Sequence, residues 1–272
     1  MNALPPRESC GMSTADAFFA REGAHLVPRP HARSAWRADM LHGRLLSALA
    51  AAAAQREHGG DGFHLARITV DLFRAPSMAP LEVEIVPVRM GGRVRAADVT
   101  FTSEERPVAR ATALLLRQTA EPAGTAWSAP SWTVPGPDEL TLPERTGEGP
   151  FPIDIRSLAQ PDSAGTEPQR IWVQEVRDLV EGEGFPPVAR VAAAADISNW
   201  LVNHTDLGLS FINADVSVST SRPPVSQWIG LDVTGRCSAT GISVGDCALY
   251  DVAGPIGFCS IRAVATEAFA GA

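Results

Sequence analysis

The sequence contains no lysine; all 23 basic residues among its 272 are arginine. A P-loop, a Schiff-base nucleophile and a pyridoxal-phosphate site each need a lysine, so all three are excluded. Cysteine is scarce as well. Cys10, Cys237, Cys247 and Cys259 stand singly, and without a Cys-x-x-Cys pair neither a zinc knuckle nor a thiol redox motif has support. No metal site is expected. Cys247 and Cys259 fall in strand-like runs and read as small core residues. The first eleven residues lack the apolar stretch of a secretory signal. The longest apolar run, Leu45 to Ala54, is too short to span a bilayer. A net charge of −8 argues against nucleic acid or an anionic membrane as partner. The expected location is the cytoplasm.

Histidine is absent after His204, which disposes of one motif. Gly241-Ile-Ser-Val-Gly245 fits the G-x-S-x-G nucleophile elbow. That elbow needs a helix after the serine and a histidine further on, and strand-like sequence follows instead.

What is present is a helix, a set of strands, and then both again. Leu41 to Glu57 is helical and nearly apolar all round, which makes it a central helix. Period 2 then takes over. Ile68, Val70 and Leu72 alternate in one strand, Leu81, Val83 and Ile85 in the next, and Ala97, Val99 and Phe101 in a third. Val108 to Arg117 forms a fourth, after a turn at Ser103. Residues 119–150 are crowded with Pro, Gly, Ser, Thr and Glu and read as a surface linker, with Trp127 and Trp132 as its anchors. The pattern then repeats. Arg74-Ala-Pro76 and Arg222-Pro-Pro224 close corresponding strands at an offset of 148 (222 − 74). That offset pairs Val70 with Val218, Leu81 with Ile229 and Val108 with Ile256, which indicates a tandem duplication. The expected fold is α+β. Each half is a curved antiparallel sheet wrapped around a central helix, with an N-terminal unit at 17–118 and a C-terminal unit at 151–272.

The second helix, Val188 to His204, carries the chemical signal. Asp196, Asn199 and Asn203 fall at i, i+3 and i+7, one stripe on a helix otherwise rich in Ala and Val. A carboxylate buried there is costly unless it is paired or in use. One reading makes Asp196 a general base or water-orienting group with Asn199 and Asn203 beside it. The other makes Asp196 the N-cap of a shorter helix, Ile197 to Asn203.

Taken in order, Trp36 to Gly43, Arg67 to Pro76, Arg89-Met-Gly-Gly-Arg93, Asp196-Ile-Ser-Asn-Trp, Ile212-Asn-Ala-Asp215 and Ser221-Arg-Pro resemble the acyl-CoA thioesterase II family, a fused double hotdog. The resemblance spans roughly residues 17 to 268. It implies hydrolysis of an acyl-CoA thioester, with coenzyme A as part of the substrate and no other cofactor. In that family an Asp on the second helix, a Thr on the next strand and a Gln on the last strand position the hydrolytic water. Asp196 matches the Asp, Asn213 stands at the Thr position, and Arg262 or Ser260 stands near the Gln position. Arg262 either orients water or locks Asp196 in a salt bridge.

Other residues carry two readings each. His42 and Gly43 open the first helix, where backbone N–H groups suit an oxyanion; the alternative is a glycine that eases packing. Asp215, two residues from Asn213, is expected on the same strand face, in support of the site or facing solvent. Arg89, Arg93 and Arg95 either meet coenzyme A phosphates or keep a hairpin soluble. His204 ends the second helix, where His⁺ complements the dipole. A homodimer is expected. A non-catalytic acyl-binding hotdog protein is the alternative, because the family Gln is missing.

Overall fold

The computed structural model describes residues 17–34, 36–37, 39–127, 135–140, 153–157 and 169–269. The first described elements form a hairpin, β1 (Ala17–Glu22) and β2 (His25–Pro28). Helix α1 (Gly43–His58) follows, then the meander β3 (Phe63–Leu72), β4 (Leu81–Met90), β5 (Val94–Ser103) and β6 (Arg106–Arg117). Beyond the connection come β7 (Ile153–Ser157), β8 (Arg170–Glu175) and β9 (Asp178–Val180). Helix α2 (Pro187–Asn203) is next, then the short β10 (His204–Thr205). A second meander completes the fold: β11 (Gly208–Thr220), β12 (Trp228–Ala239), β13 (Ile242–Asp251) and β14 (Gly254–Phe269).

Both helices lie where their sequences require. In α1 the face from Arg44 to Ala54 is buried apart from Ala52; in α2 only Pro187, Arg190 and Trp200 escape full burial. Alanine dominates both, so the two axes can approach closely, and the helices pack on each other. Pro187 starts α2 at the first helical position, where a missing N–H costs nothing. Asp196 is therefore ten residues beyond the N-cap, and its reading as a cap is overturned.

All fourteen strands form one sheet, ordered β7-β8-β12-β13-β14-β11-β3-β6-β5-β4-β2-β1-β9, with β10 beside β11. The offset of 148 reappears in the strand bounds: β13 is β5 displaced by 148 (242 − 94), and β14 begins 148 after β6. The halves meet where β3 pairs antiparallel with β11. There Thr69 lies opposite Ser217, its own counterpart at the same offset, and their hydroxyls hydrogen-bond at 2.8 Å. Residues displaced by 148 face each other at that point, so an approximate twofold axis passes through it. β8 and β9 lie towards opposite ends of the sheet, yet only Val176 and Arg177 separate them in the chain. Two residues reach about 11 Å at most, so the sheet curls back on itself.

The repeated Arg-x-Pro has a structural job in the second half. Arg222 grips Asp251 through both nitrogens, at 2.6 and 2.8 Å, and so pins the β13–β14 turn. In the first half position 103 is Ser, which donates to the Pro80 carbonyl instead. Cys247 and Cys259 are buried opposite each other, as small core residues. Trp127 is 86% exposed and anchors nothing among the described residues. Cys10 and Trp132 lie outside the described residues. Among the described residues no helix is long and apolar enough to cross a membrane.

The rejected G-x-S-x-G run sits on β13 and the turn before it. Gly241 takes a left-handed turn conformation (φ +80°), and Gly245 lets α2 approach the sheet: a Cβ there would lie 2.3 Å from Val202 Cγ1. Gly245→Ala is accordingly expected to destabilise the fold by about 1–3 kcal/mol, the cost of overpacking a filled core. Thermal unfolding beside wild type checks this; an unchanged midpoint would mean that α2 does not seat on β13.

Candidate active site

Asp196 sits mid-helix on α2 among Ala193, Ala194 and Ala195, 7% exposed. Its Oδ1 accepts a hydrogen bond from Asn213 Nδ2 at 2.9 Å; no described residue donates to its Oδ2. Burial lifts its pKa from 3.8 to about 6, opposed by the Asn213 hydrogen bond and then by the positive charge of Arg44. Near neutrality it is thus a carboxylate whose conjugate acid is weak enough to make it a useful base.

Asn213 reaches Asp196 because β11 is irregular. Between Asn213 and Asp215 that strand advances two residues while β14 advances one, from Ala263 to Arg262. This is a β-bulge, and it reverses which face each side chain takes. Asn213 consequently turns inward while Asp215 turns outward to Arg262. Asp215 accepts from the Arg262 backbone N–H at 2.9 Å and from its Nη1 at 3.2 Å. The expectation that Asn213 and Asp215 share a face is corrected.

The same geometry corrects Arg262 and Ser260. Ile261 and Ala263 of β14 are buried, so alternation directs Ser260 and Arg262 to the outer surface. Arg262 neither orients a group at Asp196 nor locks it. The position opposite Asn213 is Ala263, which supplies no third polar group.

From the other helix, the start of α1 meets the carboxylate. A Cβ on Gly43 would lie 4.0 Å from Asp196 Oδ1 and 3.5 Å from Leu72 Cδ1, so the absent side chain leaves room beside the acid. Gly43 opens α1, whose first N–H groups have no partner within the helix and carry the positive end of its dipole. His42 caps this end, its Nδ1 accepting from the Arg44 N–H at 3.4 Å. Burial, and secondarily Arg44, hold the His42 pKa well below 6.5; the ring is neutral at physiological pH.

Two residues escaped the sequence reading. Arg44 is 1% exposed, lies 4.9 Å from the Phe18 ring centroid, and is ion-paired through Nη1 with the equally buried Glu175 of β8. This pair ties the N-terminal half to the C-terminal half beside Asp196. Arg44 was the detectable signal, the one charge in an apolar helical stretch; Glu175 offered none.

Asn199 and Asn203, expected beside the base, hold structure instead. Asn199 donates to the Phe211 carbonyl at 3.0 Å and accepts from Asn203 at 3.0 Å; Asn203 in turn accepts from Ser243 at 2.6 Å. The stripe thereby fastens α2 to β11 and β13, and Asn199 is not placed to bind substrate. Arg89 and Arg93 are exposed on the β4–β5 hairpin, whose neighbour Arg95 donates to the His58 and Gly60 carbonyls at the far end of α1. That end is about 22 Å from Gly43 at 1.5 Å per residue. Arg95 itself caps the helix and lies over the Phe63 ring at 3.9 Å. His204 is the C-cap of α2, its ring 5.5 Å from that of Trp200. Among the described residues, no three His, Cys, Asp or Glu side chains converge as a metal site requires.

Solved structures with this architecture are similar along nearly their whole length. A provisionally assigned thioesterase II of Thermobifida fusca YX superposes with a TM-score of 0.71 at 17% identity, covering 93% of this chain and 97% of that one. A hot dog fold protein of unknown function from Alicyclobacillus acidocaldarius gives 0.68 at 16%, covering 94% and 98%. A TesB protein of Mycobacterium avium subspecies paratuberculosis gives 0.65 at 16%, covering 84% and 88%. No curated protein matches in sequence. The class is therefore that of hotdog-fold proteins, here with a buried carboxylate between two helices. Residues 32–116 match the acyl-CoA thioesterase N-terminal domain and residues 118–260 the acyl-CoA thioesterase C-terminal domain. The chain belongs to the acyl-CoA thioesterase family, which supports a thioester hydrolase.

If burial governs Asp196 and Asn213 opposes it, the Asp196 carboxyl should titrate near pH 6 by NMR in wild type. In Asn213→Ala the midpoint should rise, because a hydrogen bond to the charged form is lost. An unmoved or lowered midpoint contradicts the pairing.

Proposed function

We propose that this protein hydrolyses acyl-CoA thioesters by water that Asp196 deprotonates and Asn213 helps to hold. One observation carries the proposal: a buried carboxylate, pinned through a single oxygen at 2.9 Å, faces the glycine that opens α1. In this reaction Asp196 takes a proton as water oxygen bonds to the thioester carbonyl carbon. The oxyanion forms against the Gly43 N–H at the start of α1, whose dipole stabilises it. On collapse the C–S bond breaks, and the coenzyme A thiolate receives the proton from Asp196. The Asn213 hydrogen bond, and after it the positive charge of Arg44, oppose burial enough that the acid ionises near neutrality. His42, neutral, fixes the helix start without repelling Arg44 further.

The architecture belongs to the same proposal. The chain is a tandem double hotdog derived by duplication, an N-terminal unit at 17–118 and a C-terminal unit at 151–272 joined through 119–150, each sheet curved round its helix. Coenzyme A enters as part of the substrate and no other cofactor is used. The protein works in the cytoplasm as a homodimer.

A second reading, that the protein binds acyl-CoA without turning it over, is favoured by one feature. Ala263 stands opposite Asn213, so among the described residues two polar side chains, Asp196 and Asn213, address the water. Thiol release from a panel of acyl-CoAs separates the two readings. Turnover in wild type, falling about 10²–10⁴-fold in Asp196→Asn, is expected of a general base. Binding with no turnover establishes the second reading, and equal activity in both proteins removes Asp196 from the mechanism.

The same substitution has a stability consequence of known sign. Folded Asp196 holds its proton up to about pH 6, against 3.8 normally. The associated stability is complete below about pH 4 and is lost as pH rises through 6. Asp196→Asn should then be more stable than wild type at pH 8, by on the order of 3 kcal/mol, with no such gain at pH 4. Denaturant melts at the two pH values read the difference.

A further inference from the structure

A cavity of about 300 Å³ opens on the side of the molecule, well away from Asp196. Leu49, Ala52 and Ala53 of α1 form its floor, and Val83 and Ile85 of β4 with Leu179 of β9 form its apolar walls. It exists because β2 is short: β2 pairs with β4 only at Leu81 and Glu82, so the inner face of β4 beyond them is uncovered at its edge. The distance from Gly43 to Ala53 is about 15 Å along the helix, and neither Asn213 nor Gly43 lines the space.

The mouth is built differently from the floor. Glu183 is held there by Arg21, with Nε at 2.9 Å and Nη2 at 2.8 Å from the same carboxylate oxygen. Arg56 approaches the other oxygen at 3.9 Å, and Glu57 lies 3.4 Å from Arg56. Glu183 is flanked by Gly182 and Gly184, both with positive φ, at 73° and 69°, so its backbone is held in a turn that glycine favours. Arg21 and Glu183 are about two-fifths exposed, and an ion pair that open contributes at most about 1 kcal/mol. Two guanidinium groups thus converge on a carboxylate above an apolar well, and the carboxylate is weakly held. The chain's own Glu183 stands in for the head group of a ligand.

We propose that this cavity is a second binding site, for a free medium-chain fatty acid, whose carboxylate displaces Glu183 from Arg21 and Arg56 while the chain lies along Leu49, Ala53 and Ile85. Its volume is at the small end of ligand pockets, which run about 300–1,000 Å³. The polarity sets the direction: charge at the solvent-facing mouth and apolar surface within require entry tail first from solvent. The site is therefore separate from hydrolysis, and its existence does not depend on the role given to Asp196.

Decanoate binding to the full chain, measured by calorimetry, tests this, with decanol as the uncharged probe. Wild type and Asp196→Asn should bind decanoate equally. Arg21→Gln combined with Arg56→Gln should weaken decanoate at least tenfold and leave decanol unchanged. Glu183→Gln, which removes the competing carboxylate, should tighten decanoate several-fold, an outcome that a merely structural Glu183 would not give. Ala52→Trp fills the floor, and Ala24→Trp blocks the exposed rim without touching the core; each should abolish binding. Absence of decanoate binding to wild type at millimolar concentration overturns the proposal. So does binding that is lost in Asp196→Asn or indifferent to both tryptophans, since either places the ligand elsewhere.

Discussion

Two helices with almost no polar face have to be covered on every side, and that requirement shapes everything else in this protein. One alanine-rich helix can bury part of its surface against another, which is why α1 and α2 lie together. The remainder needs sheet. Apolar burial is worth about 25 cal/mol per Å², and only a sheet curled round the pair supplies enough contact. The seam between β3 and β11 makes this possible in one piece. With Thr69 opposite Ser217, each half offers its partner the same strand, and two edges that would otherwise invite aggregation are consumed.

Against that apolar background the few buried charges are informative. Arg44, Glu175 and Asp196 occupy the same junction of the two halves, and burial pushes the carboxyl of Glu175 up as it does that of Asp196. Removing charges from water costs several kcal/mol per ion unless they are paired. Arg44 and Glu175 meet that requirement by pairing with each other. Asp196 meets it only in part, through one amide hydrogen bond and a helix dipole, and is left with an oxygen available to something else. A carboxylate that folding leaves incompletely satisfied fits one that chemistry employs.

Much of the architecture was legible because burial writes itself into residue order. Period 2 marked the core faces of β3, β4 and β5, an apolar helix marked α1, and the offset of 148 matched β3 to β11, β4 to β12 and β6 to β14 before any pairing was visible. Strands β1, β2, β7, β8, β9 and β10 were not recognised. They are short, and β9 is three residues long, below the length at which alternation can be told from chance. The surface role given to Trp127 rested on composition alone, which does not say what a side chain touches.

The acid itself was legible: a lone Asp in a run of alanine has to be explained, and Asp196 is buried there. Asn213 was assigned by its place in the chain, and its inward direction depends on the extra residue at Ala214. No local pattern marks that bulge, yet it decides that Asn213 meets Asp196 while Asp215 and Arg262 pair on the outer surface. Whether Asn199 serves a substrate or a backbone carbonyl likewise depends on what a distant strand presents to it. The sequence by itself determined the periodicity, the repeat at an offset of 148 and the presence of an acid in an apolar helix, because each can be read along the chain. Only the tertiary structure decided which side chains surround that acid, because strand register and helix approach are set by contacts between residues far apart in sequence.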